Sequence, residues 1–171
     1  MIKGIVTTFI ISSVVMLSCQ SKTETKQTYT EIEENGQQKV ETLDTNESIV
    51  QNTQLPDAAQ KFIKNNFGSE TIQNIIKEAD ATGDEYKVQL GNGIKIDFDA
   101  NGEWKEVKAE VANQSVGALF LPQNVRDYLT KNYPEIGVES VDRDAQGIDV
   151  ELLNKVDLKF DTNGNFLRID K

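Results

Sequence analysis

The chain has 171 residues, with 28 acidic against 18 basic side chains, a formal net charge of −10, one cysteine and no histidine. The acidic balance disfavours nucleic acid and anionic lipid surfaces as partners, and favours a well-hydrated surface over a dedicated face for a basic partner. Without histidine the commonest general base and metal ligand are missing, and one cysteine builds no disulfide framework.

Residues 1–18 read as an export signal. Lys3 supplies the positive start, and Ile5 to Leu17 is apolar except for Thr7, Thr8, Ser12 and Ser13. That run is shorter than the ~20 residues a membrane span needs. It ends in Met16-Leu17-Ser18-Cys19, where a small residue precedes the lone cysteine, the pattern of a lipoprotein cleavage site. Acylation of Cys19 would anchor the exported chain to a membrane of the cell envelope and leave no free thiol. Removing Lys3 with the signal takes the net charge to −10 − 1 = −11.

Residues 19–54 are rich in Thr, Gln, Glu, Asn and Ser and poor in apolar side chains. Such a stretch buries too little to offset its ordering entropy, so it reads as a flexible polar tether. Within it, Glu34-Asn35-Gly36 is placed to close a weak hairpin between Thr28–Glu33 and Gln37–Leu43.

The rest is an internal repeat, 55–112 and 113–171. Leu55-Pro56 through Phe67 recurs as Leu121-Pro122 through Tyr133, at an offset of 66. Phe98-Asp99-Ala100-Asn101-Gly102-Glu103-Trp104 recurs as Phe160-Asp161-Thr162-Asn163-Gly164-Asn165-Phe166, at an offset of 62. The four residues lost between the blocks fall near Asp80–Gly83, read as a loop. Each copy opens with a helix whose first turn carries Pro56 or Pro122 and which ends at Gly68 or Pro134. Four strands follow: Ile72–Lys77, Tyr86–Leu90, Ile94–Phe98 and one ending near Val107 in the first copy; Val138–Arg143, Ile148–Leu152, Val156–Phe160 and one ending near Ile169 in the second. Period-2 alternation in the middle strands marks an antiparallel sheet with one dry and one wet face. The predicted fold is α+β: two tandem α-β-β-β-β units sharing one sheet of about eight strands, with both helices on one side.

The order Leu-Pro, helix, Tyr86-Lys87-Val88 and then Phe98 to Trp104 resembles the PepSY-like, β-lactamase-inhibitor-like family, over roughly Leu55 to Lys171. The resemblance implies an envelope lipoprotein or secreted protein, helices on one side of an antiparallel sheet, and an open face that binds a partner. It implies no catalytic residues and no particular target. Phe166 stands where the first copy has tryptophan, a change of packing more than of chemistry.

The expected wet face carries Lys87, Gln89, Lys95, Asp97, Glu106, Asp149, Glu151, Asp157, Lys159 and Arg168. Trp104 and Phe166 depend on the turn. A two-residue Asn101-Gly102 turn puts them on the wet face as partner-binding anchors. A longer bulged turn puts Trp104 with Phe98 on the core side, where bulky aromatics usually lie. Asp97-x-Asp99-x-Asn101-Gly102 imitates the start of a calcium loop, but position twelve is Lys108, so a plain hairpin turn is the better reading. No pair of carboxylates is singled out by spacing. The expected function is a non-enzymatic envelope lipoprotein whose open face binds another protein, inhibition being one form of such binding, with no cofactor or metal. The alternative is a small-ligand or glycan module using Trp104 as its platform.

Overall fold

The computed structural model describes residues 27–170; the signal segment and Cys19 lie outside the described residues. Eleven strands and two α-helices follow in the order β1 (Thr28–Ile32), β2 (Gln38–Thr42), β3 (Glu47–Ile49), α1 (Asp57–Phe67), β4 (Ile72–Asp80), β5 (Gly83–Leu90), β6 (Ile94–Phe98), β7 (Trp104–Ala109), α2 (Gln123–Asn132), β8 (Val138–Arg143), β9 (Ile148–Leu152), β10 (Asp157–Phe160) and β11 (Phe166–Asp170). Strands β3 to β11 form one antiparallel sheet in simple sequence order, and β1 and β2 form a separate hairpin. The tandem α+β units join where β7 pairs with β8. The sheet has nine strands rather than eight because β3 adds itself outside β4.

A single row crosses the sheet on its helix side: Ile75, Val88, Ile96, Val107, Val141, Val150 and Leu158, each opposite the next. All seven are buried, as are Ala59, Ile63 and Phe67 of α1 and Val125 and Leu129 of α2 that cover them. Burying each such branched side chain contributes about 1.5–3 kcal/mol, so this layer dominates the stability of the unit. Pro56 and Pro122 sit one residue outside the helices, at the N-caps, rather than in the first turn. The four extra residues of the first repeat are not in a loop. They lengthen the ladder of β4 and β5 through Glu78↔Glu85, Ala79↔Asp84 and Asp80↔Gly83.

The turn between β6 and β7 is the longer, bulged kind. Asp99 N–H donates to Glu103 O (2.9 Å) and Gly102 N–H to Asp99 O (2.9 Å), with Gly102 at φ +81°. Phe98 is opposite Trp104 but Asp97 is opposite Glu106, so Lys105 is the extra residue. The second repeat copies this, with Phe160 opposite Phe166, Lys159 opposite Arg168 and Gly164 at φ +78°. Asp99 Oδ1 accepts the N–H groups of Asn101 and Glu103, both at 2.9 Å. The calcium-like motif is therefore a hairpin turn whose aspartate serves the backbone.

Residues 28–54 are structured, which corrects the reading of 19–54 as a flexible tether over that part. β1 and β2 pair from Thr28↔Thr42 to Ile32↔Gln38 around the Glu34-Asn35-Gly36 turn, with Gly36 at φ +75°. A short 3-10 turn (Asn52–Gln54) then leads into α1.

Candidate functional site

Opposite the helices, the sheet carries two rows of polar side chains. One runs Ile76, Lys87, Asp97, Glu106, Asp142, Asp149, Lys159, Arg168, each residue opposite the next. The other runs Asn74, Gln89, Lys95, Lys108, Ser140, Glu151, Asp157. The alternation of β5, β6, β9 and β10 thus places Lys87, Gln89, Lys95, Glu106, Asp149, Glu151, Lys159 and Arg168 on one face. The sequence reading missed Asn74, Lys108, Ser140 and Asp142. Their strand partners Gln89, Lys95, Glu151 and Asp149 were the signal that could have found them.

Trp104 and Phe166 are not on this face, a correction set by the bulge. One extra residue returns both aromatics to the side of Phe98 and Phe160. Trp104 is buried between Phe62 of α1 (ring centroids 6.1 Å, near-parallel) and Phe120 (5.4 Å, edge-on). The Arg143 guanidinium lies 4.3 Å from its ring centroid. Phe166 stacks on Tyr128 of α2, centroids 4.3 Å apart. A buried indole offers no platform to a glycan or small ligand, so the geometry removes the basis of that alternative.

The β1–β2 hairpin lies over the first repeat's half of the polar face. Gln89, 2 % exposed, accepts the Ile32 N–H at Oε1 (3.1 Å) and donates from Nε2 to Ile32 O (3.4 Å). Asn74 and Gln73 donate to Thr30 O at 2.7 and 3.1 Å. Lys95 forms an ion pair with Glu31, and Ala112 N–H donates to Glu34 O (2.9 Å). Ile32 and Leu43 are the hairpin's buried side chains. Beneath it is a cavity of about 300 Å³ lined by Tyr29, Glu31, Lys87, Lys95, Asp97 and Glu106 among others. The second repeat's half, with Ser140, Asp142, Asp149, Glu151, Asp157 and Lys159, has only a shallow depression and no covering segment among the described residues.

Electrostatically the middle of the face is an acidic row in which only Asp149 has an ion-pair partner, Lys159, among the described residues. Asp97, Glu106, Asp142 and Asp149 are consecutive across four strands. The other neighbouring lysines pair outside the row: Lys87 with Glu78 (2.6 Å) and Glu47 (3.4 Å), Lys95 with Glu31 and Glu110, and Lys108 with Glu110 (3.4 Å). Burial raises the Asp97 carboxyl above its ordinary range. Burial, then the charges of Asp142 and Asp97, raises Glu106; burial, then Asp149, raises Asp142. A carboxyl whose folded value is raised favours the folded state below its ordinary pKa, and that stability is lost as pH rises through the raised value. Glu106→Gln should therefore stabilise the protein at pH 7, by about 0.5–1 kcal/mol for a relieved cross-strand like-charge contact. The gain should vanish near pH 4; urea denaturation at the two pH values reads it.

With the geometry in place, comparison with known proteins fixes the relationship. The family model described as "Putative beta-lactamase-inhibitor-like, PepSY-like" matches residues 24–83 and 84–168. The chain belongs to this PepSY-like family. Its two matched segments meet at the start of β5, and the first includes the hairpin. Among solved structures, a Bacteroides thetaiotaomicron protein described as a "putative calcium-regulated periplasmic protein" is 35% identical. The match covers 73% of this chain and 97% of that one, with a TM-score of 0.67. A "putative periplasmic protein" of Bacteroides vulgatus is 31% identical over 75% of this chain and 100% of its own, also with a TM-score of 0.67. A second Bacteroides vulgatus periplasmic protein, described as of unknown function, is 29% identical over 73% and 99%, with a TM-score of 0.65. No curated protein matches the chain. These solved relatives share the α+β fold and are each described as periplasmic.

Proposed function

We propose that this PepSY-like protein is a non-enzymatic binding module of the cell envelope, anchored through Cys19, which docks a protein partner on the polar face of its second repeat. One observation carries this reading: two equivalent faces exist, and the chain covers the first with its own hairpin while the second is bare among the described residues. The bare half is acidic through Asp142, Asp149, Glu151 and Asp157, with Lys159 bound to Asp149. Such a surface fits a basic patch and would give association that weakens as salt rises. The raised carboxyls are explained by burial and mutual repulsion, and need no catalytic role. Among the described residues no three His, Cys, Asp or Glu side chains converge as a metal cage.

The test is site-specific photo-cross-linking in envelope preparations, with the photoreactive residue at Glu151 or, as a control on α1, at Lys64. A discrete adduct should form from position 151, be lost with Asp149→Lys, and be absent from position 64. Equal labelling from both positions would remove the assignment of the face.

A further inference from the structure

The two ends of the nine-stranded sheet are unlike. At one end β3, three residues long, pairs outside β4 through Glu47↔Glu78, Ser48↔Lys77 and Ile49↔Ile76. It holds on β4 the place that β7 holds on β8, so the edge of β4 is already taken. At the other end β11 pairs only with β10. Its Phe166, Leu167 and Ile169 are 36%, 55% and 47% exposed. An apolar edge strand of this length with a free row of backbone groups invites another strand.

The repeat itself shows what such an edge accepts. β7 is the first-repeat equivalent of β11, with Trp104 in the place of Phe166 and Val107 in the place of Ile169. Antiparallel β8 seats on β7 with Val107 opposite Val141, and Val107 is fully buried. Arg143 of β8 also closes over the Trp104 ring. Nothing among the described residues does this for β11: Ile169 and the outer side of Phe166 are left in water.

We infer that β11 pairs antiparallel with β11 of a second copy, about a two-fold axis at Ile169. Charge complementarity selects this occupant. Arg168 and Asp170 both point to the polar face of the sheet, and within one chain Arg168 Nε reaches Asp170 Oδ1 at 2.8 Å. With Ile169 of one copy opposite Ile169 of the other, Arg168 of each copy falls opposite Asp170 of its mate. Two opposite-charge pairs then form on the wet side, and the apolar pair on the dry side repeats the Val107–Val141 pair by which β7 and β8 meet inside the chain. A two-fold contact uses the same patch twice and closes at two copies. The two-fold contact occupies the outer edge of β11 in both copies, so this pairing does not propagate into a filament. The pairing extends the sheet across both molecules and leaves both second-repeat faces open side by side.

Sedimentation velocity of the purified full chain, in a non-ionic detergent that keeps the N-terminal apolar run from associating, tests this through charge swaps. The native chain should show a reversible monomer–dimer equilibrium. Arg168→Asp sets Asp against Asp170 across the axis, and Asp170→Arg sets Arg against Arg168. Each variant should self-associate at least about tenfold more weakly, from the loss of two favourable pairs and the gain of two like-charge pairs. An equimolar mixture of the two variants should recover dimers, because every cross-strand pair is then opposite in charge. A native chain that stays monomeric, dimers equally strong in all variants, or a mixture that fails to recover would each overturn the inference. None of these outcomes bears on the photo-cross-link at Glu151, so the two readings fail separately.

Discussion

Trp104→Ala should lower the stability of the protein by about 3–5 kcal/mol, the range for removing a buried large aromatic from a core that cannot fully close around the gap. The site has little freedom to collapse. Trp104 packs on Phe62 from α1 and on Phe120 from the segment leading to α2, while Phe62 also meets Phe98 edge-on at 5.7 Å. Arg143 crosses from the second repeat, covers the ring, donates to Trp104 O from Nη2 (2.7 Å) and Nε (3.1 Å), and pairs with Glu103 at 3.2 Å. The guanidinium–indole contact adds about 1 kcal/mol. Loss of the ring therefore weakens α1 on its sheet and the joint between repeats together. Trp104→Phe should cost far less, because the second repeat already places Phe166 at the equivalent position. Urea denaturation followed by far-UV circular dichroism reads both variants, and in the native chain this sole tryptophan should emit blue-shifted light resistant to aqueous quenchers. A Trp104→Ala cost below about 1 kcal/mol would show that the joint does not depend on the indole.

How far this was legible in the sequence depended on where the deciding interaction lay. The helices and strands from Leu55 onward were readable because helical spacing and period-2 alternation are local, and because each copy vouches for the other. The side on which Trp104 lies was not settled by alternation, since one extra residue at Lys105 reverses it. Only the shape of the turn, with Gly102 at positive φ and Asp99 bonding the backbone across it, decides between the two faces. The β1–β2 hairpin was read from its Glu34-Asn35-Gly36 turn only as a weak element of a tether, and its docking on the sheet was hidden for a different reason. A composition reading looks for apolar residues, and β1–β2 buries few. It is held by polar groups whose partners lie far along the chain: Gln89 to Ile32, 57 residues apart, and Asn74 to Thr30, 44 apart. The acidic row was equally hidden, because Asp97, Glu106, Asp142 and Asp149 become neighbours only through the register of four strands.

That same long-range polar dependence makes Gln89 the residue on which the covering of the first face turns. Gln89→Leu should release the hairpin while leaving the helix-covered core intact. The leucine can neither accept from Ile32 N–H nor donate to Ile32 O, and it also removes the acceptor of Asn74 Nδ2 (3.4 Å). Each buried backbone group left without a partner costs about 1–3 kcal/mol, as much as the hairpin's few apolar contacts supply. The remaining ties are Thr30 to Asn74 and Gln73, Glu31 to Lys95, and Glu34 O to the Ala112 N–H. Hydrogen exchange should therefore show the amides of residues 28–42 losing at least about tenfold of their protection, the equivalent of 1.4 kcal/mol, with β5 to β10 unchanged. Unchanged protection in the hairpin would show that the Thr30 and Glu31 contacts suffice to hold it. If it does open, the cavity walls around Lys95, Asp97 and Glu106 come into contact with solvent. The first repeat then presents the kind of face that the second presents already, and the asymmetry on which the docking proposal rests is removed by one side chain.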